Sequence, residues 1–262
     1  MYRRTTTALW IALLCAGLSL GGGCTTTKAR LESDQNARKA GSRLEVGSDY
    51  LANGQSALAL REFLAAEKLD PDNAKVHYAL GDAYLARGKR DLAERHLRRA
   101  LEIFPEYHDA RLFLSALLLM EKKYAEAAEH CLELIDDPTY EAPWRALTNR
   151  GWALFKLGQT EEARTAYDQA REYRHQYWPA TLALAILEAE TGKRLEAIRL
   201  YREIIAQEPG ANVESEVNYR LGEIYVALGN RREAMGHLTT AVARAPDSTW
   251  AKKSQEYLKI LH

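Results

Sequence analysis

The chain has 262 residues, with 36 basic side chains balanced by 36 acidic ones, and seven histidines and three cysteines. That balance, with no basic stripe, argues against a nucleic-acid binder, which usually shows a basic excess on one face. So few cysteines exclude a disulfide-built scaffold.

The first 23 residues read as a leader. Arg3 and Arg4 open it, and Ala8 to Leu20 (ALWIALLCAGLSL) is an apolar run of 13 residues. A membrane-spanning helix needs about 20 such residues, so the run fits the core of a secretory signal peptide instead. Gly21, Gly22 and Gly23 lead into Cys24. A run of small residues ending in cysteine resembles the bacterial lipobox, although Gly21 stands where that motif usually has leucine. Leu14 makes Cys15 the weaker match. The resemblance implies that Cys24 becomes an acylated N-terminus carrying a diacylglycerol and an N-acyl chain, with no other cofactor. Thr25 in place of aspartate then favours the outer membrane over retention at the inner one. Without residues 1–23 the chain carries 34 basic and 36 acidic residues, and its cysteines are Cys24 and Cys131. Residues 24–39 are polar with no apolar periodicity and read as the lipidated N-terminus and a tether.

From Ala40 onward one unit recurs. Its clearest copy is Ala74 to Tyr107, 34 residues that read as two short helices and a turn. The copies run over residues 40–73, 74–107, 108–141, 144–177, 178–211 and 215–248. Position 8 of each is small: Gly47, Gly81, Ser115, Gly151, Ala185 and Gly222. Position 20 is alanine, and positions 11 and 24 are large in most copies. A small residue at 8 and alanine at 20 let two helices approach closely, and a larger side chain there overpacks. Glycine at position 15 (Gly88, Gly158, Gly192, Gly229) suits a helix C-terminus. Proline at position 32 ends the second helix. One such unit cannot bury its apolar face alone, whereas a stack shares a continuous core. Six copies of this period resemble the tetratricopeptide repeat. The resemblance implies an all-α, right-handed α-solenoid of six helix-turn-helix repeats, with residues 249–262 as a C-terminal capping helix. Ala251, Leu258 and Leu261 supply that helix with an apolar face.

No catalytic constellation has useful spacing. His77, His96, His108, His130, His175 and His237 are scattered, and no two form a metal motif on one helix. Cys131 occupies a core position of its repeat, so a buried structural thiol is expected there. The chain therefore reads as a non-enzyme without a metal, a nucleic-acid partner or a small-molecule substrate.

Tetratricopeptide arrays bind partners along the face made by their first helices. The candidate groove residues are Tyr78 and Leu85 in repeat two, Leu112, Ala116, Leu119 and Met120 in repeat three, Trp152 and Phe155 in repeat four, and Leu182 and Ile186 in repeat five. Leu112 to Met120 (LFLSALLLM) is apolar nearly all round. Such a helix is either buried on both sides by its own neighbours or meets a partner, and both readings stand at this point.

The order of leader, lipidated cysteine, tether and six repeats resembles the type IV pilus assembly lipoproteins, the secretin pilotins of the PilF/PilW/Tgl type. The expanded join DDPTYEAPWRALTNRG, with Tyr140, Arg145, Asn149 and Gly151, adds a local likeness. The resemblance implies an outer-membrane lipoprotein on the periplasmic face that binds secretin subunits and promotes their localisation and multimerisation. The alternative is a scaffold of the same build for cell-wall enzymes or another outer-membrane assembly machine.

Overall fold

The computed structural model describes residues 22–261, with side chains from residue 29 onward. The leader read over residues 1–23 lies almost wholly outside them, and so does the side chain of Cys24. Among the described residues every regular element is a helix, and none is long and apolar enough to cross a membrane. The chain divides into two compact units, Met1–Phe104 and Pro105–His262.

The first unit holds α1 (Gly22–Ala52), α2 (Ser56–Leu69), α3 (Ala74–Ala86) and α4 (Arg90–Ile103). Its core is Ala40, Ala59, Phe63, Ala66, Val76, Ala79, Leu80 and Ala83. Asn73 caps α3: its side chain accepts from the backbone N–H groups of Lys75 and Val76. The tether expected over residues 24–39 is helical, because α1 runs unbroken from Gly22 to Ala52. From Ala29 to Lys39 this helix is exposed apart from a half-buried Asn36, and it first packs at Ala40. Alanine, lysine, arginine, leucine and glutamate are good helix formers and can extend a packed helix into solvent without an apolar stripe. Val46 shows the same end effect. Its counterpart Leu80 packs back onto repeat one, but no described repeat precedes Val46, and it is exposed.

The second unit holds α5 (His108–Met120), α6 (Tyr124–Asp136), α7 (Pro143–Lys156), α8 (Thr160–Tyr173), α9 (Trp178–Glu190), α10 (Arg194–Ile205), α11 (Ala211–Ala227), α12 (Arg231–Arg244) and α13 (Thr249–Leu261). Each first helix packs on its own second helix, and α7 also touches α5 and α9. The close approach predicted for position 8 is present. A Cβ on Gly151 would lie 2.5 Å from Tyr167 Cε1, and one on Gly222 would lie 2.6 Å from Leu238 Cγ. Cys131 is buried and free. Burial pushes its thiol up to about 11, against a weaker opposing hydrogen bond with Ser115, so it is a core group and a poor nucleophile at neutral pH. The last helix lays Tyr257, Leu258 and Leu261 against Tyr219, Leu238 and Ala241. The helix before it departs from the 34-residue ruler: α11 begins at Ala211, four residues before Ser215, directly after Gly210 with φ of 96°.

Candidate functional site

The expanded join between repeats three and four fixes the angle at which α7 enters. Asp137 Oδ1 accepts from the Thr139 backbone N–H at 2.8 Å and from its hydroxyl at 2.7 Å. Asp137 Oδ2 lies 2.8 Å from His108 Nε2, at the start of α5. The His108 ring meets Tyr140 edge-on, and Tyr140 packs against the Leu112, Cys131, Leu134 and Ala146 cluster. Pro143 opens α7, where a missing N–H costs no intrahelical bond. Asn149 Nδ2 then donates to Ser115 Oγ at 3.2 Å, which ties repeat four to repeat three.

On α7, thus placed, Trp152 and Phe155 meet edge-to-face, with ring centres 6.1 Å apart. Lys156 Nζ stands 4.4 Å from the Trp152 centroid and 4.9 Å from that of Phe155. A cation held over two aromatic faces is a cation–π arrangement worth about 0.5–1 kcal/mol when exposed and more when a partner removes the water. Trp152 and Phe155 are half-buried and Lys156 is exposed. On α5, Ala116 and Leu119 are half-buried and Met120 is exposed; Leu182 on α9 is half-buried. Phe155 and Leu182 both pack against the core cluster of α9 and α10, so each is held on its inner side. In the first unit, Tyr78 and Leu85 on α3 are likewise half-buried.

Two expected groove residues belong to the core instead. Leu112 is 5% exposed and packs with Cys131, Leu134 and Ala146. Ile186 is 8% exposed within the cluster that joins α9, α10 and α11. Leu112 is covered by α6 and by Ala146 of α7, and Ile186 lies in the cluster built around α9 and α10; helices as apolar as α5 and α9 give no periodic cue to which side is covered. The apolar third repeat is therefore partly self-filled, and the residues of the run Leu112–Met120 that stay open are Phe113, Ala116, Leu119 and Met120.

A second aromatic cluster escaped sequence reading. Tyr219 on α11 packs on Trp250 with centroids 5.3 Å apart and meets Tyr257 edge-on, both on α13. Lys253 Nζ lies 4.7 Å from the Trp250 centroid and the Arg220 guanidinium 5.0 Å from it. The Tyr219 hydroxyl donates to Glu223 at 2.7 Å, and burial pushes its pKa upward. Tyr219 occupies position 5 of repeat six, so the same ruler applied there locates it.

Family models described as tetratricopeptide repeats match residues 78–142 and 148–212, 47–88, and 188–255. The chain belongs to the tetratricopeptide-repeat family. As a tetratricopeptide-repeat protein it is 25% identical over 227 residues to the type IV pilus assembly protein PilF of Pseudomonas aeruginosa, covering 84% of this chain and 88% of PilF. It is also 27% identical over 213 residues to DnaJ homolog subfamily C member 3 of Gallus gallus, but spans only 41% of that protein. Among solved structures, PilW, described as a widely conserved type IV pilus biogenesis factor, matches with a TM-score of 0.73 and 22% identity over 82% of this chain and 97% of PilW. Pseudomonas aeruginosa PilF matches with a TM-score of 0.69 and 20% identity over 85% of this chain and 99% of that structure. At those identities the structural likeness establishes the fold.

Proposed function

We propose that this chain is a lipid-anchored factor of type IV pilus biogenesis that holds outer-membrane secretin subunits and promotes their assembly into a ring. The observation that carries this reading is the likeness to PilF, which takes in most of both chains. The match to the DnaJ homolog leaves more than half of that protein unmatched. In this reading Cys24 carries the acyl chains and places the repeats at the periplasmic face of the outer membrane. Each buried CH₂ contributes about 0.8 kcal/mol, and a single chain binds only marginally, so several chains make the anchor firm.

The repeats act by binding, not by catalysis. Trp152, Phe155 and Lys156, with Leu119 and Met120, are the partner surface in this reading, where aromatic anchors and a cation that a partner would desolvate concentrate binding energy. Deleting the gene should abolish secretin multimers while monomers persist, and Cys24→Ala should move the protein out of the outer-membrane fraction and reduce multimers. Normal multimers in the deletion strain would sink the secretin reading and favour a scaffold for cell-wall enzymes or another outer-membrane machine.

A further inference from the structure

Three ligating side chains converge in the first unit from three successive helices: Glu67 on α2, His77 on α3 and His96 on α4. His77 Nδ1 lies 3.0 Å from His96 Nδ1. Glu67 Oε1 lies 3.7 Å from the first nitrogen and 3.9 Å from the second. Zn²⁺ bonds of about 2.0–2.1 Å at tetrahedral angles place neighbouring ligand atoms about 3.3 Å apart, and this triangle brackets that spacing. We propose that Glu67, His77 and His96 bind a divalent transition cation of the Zn²⁺ type, with a fourth position open to solvent.

The tautomer of His77 favours it. His77 Nε2 lies 2.9 Å from the Pro71 carbonyl oxygen. A carbonyl only accepts, so Nε2 carries the proton and Nδ1 presents its lone pair toward the other two groups. A ligating histidine commonly donates its far N–H to a carbonyl in this way. Without a cation, the 3.0 Å approach of two nitrogens needs a proton on His96 Nδ1; with one bound, that proton moves to Nε2. The Glu67 and His96 side chains are 29% and 17% exposed, which leaves an approach for the ion.

Repeat six supplies an internal comparison. His237 stands at the repeat position of His96, and Tyr225 stacks on it as Tyr84 stacks on His96. There the partner is Asn218, whose Oδ1 lies 2.9 Å from His237 Nδ1, and the repeat position of Glu67 is held by Ile205. A histidine–amide hydrogen bond therefore satisfies this repeat architecture. The second imidazole and the carboxylate in repeats one and two are additions that the fold does not require.

The test uses the full chain, untagged and stripped with chelator. Isothermal titration with Zn²⁺ should show one site per chain, Co²⁺ should give the visible absorption of a tetrahedral site, and Zn²⁺ should raise the melting temperature. Glu67→Gln and His96→Gln, at partly exposed positions, should each weaken Zn²⁺ binding at least about tenfold and abolish the Co²⁺ band while keeping the helical circular dichroism. His237→Gln should leave both unchanged. No uptake by the unmodified chain, or equal uptake by His96→Gln, would overturn the assignment.

Discussion

Gly151 lies against the ring of Tyr167 so closely that a Cβ at position 151 would stand 2.5 Å from Cε1 and 2.7 Å from Cδ1. Tyr167 is fully buried, so its ring has little room to give. Gly151→Ala should destabilise the second unit by about 1–3 kcal/mol, seen as a lower urea midpoint. Ala185 opposite Tyr201 in repeat five is tolerated natively, which argues for the lower half of that range. In repeat three the same pair is Ser115 and Cys131, where a smaller position 24 accompanies a larger position 8.

Lys122 stands at the glycine position of repeat three with φ of 62°, matching Gly88 at 70° in repeat two. A left-handed conformation costs a residue with a Cβ about 1–2 kcal/mol, while glycine adds back part of that as unfolded-state entropy. Lys122 is exposed. Lys122→Gly should therefore stabilise by about 0.5–1 kcal/mol, measured as a raised thermal midpoint.

Glu188 is 3% exposed on α9, and its Oε1 meets Arg164 Nε from α8 at 2.6 Å. Lys193 Nζ stands 3.6 Å from the other oxygen. Removing one partner of a buried pair strands the other charge at a cost of about 3–5 kcal/mol. Arg164→Ala should cost about 3 kcal/mol, the low end, because Lys193 remains. Pairing Arg164→Met with Glu188→Leu should recover most of the loss, so a double-mutant cycle by chemical denaturation checks it.

The Asp137 carboxyl is held down at about 2, first by the Thr139 hydroxyl and backbone N–H and then by His108. A carboxyl whose folded pKa lies below its ordinary 3.8 stabilises the fold above that value and loses the contribution as pH falls through the folded pKa. The join at Pro138–Pro143 should thus keep its geometry at pH 4 and loosen between about pH 4 and 2. Carboxyl-carbon NMR titration of Asp137 should report the low pKa, and Asp137→Asn should remove the pH dependence of the Thr139 amide signal.

The repeat register was legible because its markers are steric. Position 8 meets position 24 wherever the pair is Gly47 and Phe63 or Gly222 and Leu238, and only small residues allow that contact. Three things were not legible. The exposed part of α1 carries no apolar stripe, so periodicity is silent on it. Leu112 and Ile186 sit in apolar runs with no clear helical stripe, and burial there depends on how neighbouring helices pack. Glu67, His77 and His96 lie on three different helices, and no single-helix motif search joins them. For the candidate surface, the ruler located Trp152 and Phe155, while the stacking of Lys156 on both rings required the folded geometry.

The most direct test of the binding role is photo-crosslinking in living cells from a reactive amino acid placed at the half-buried position 152, with the exposed position 169 on α8 as the comparison. Position 152 should yield a covalent adduct with the outer-membrane secretin and position 169 little or none. An adduct from position 169 alone, or none from 152 in cells that form normal secretin multimers, would contradict the assignment of the α7 face as the partner surface.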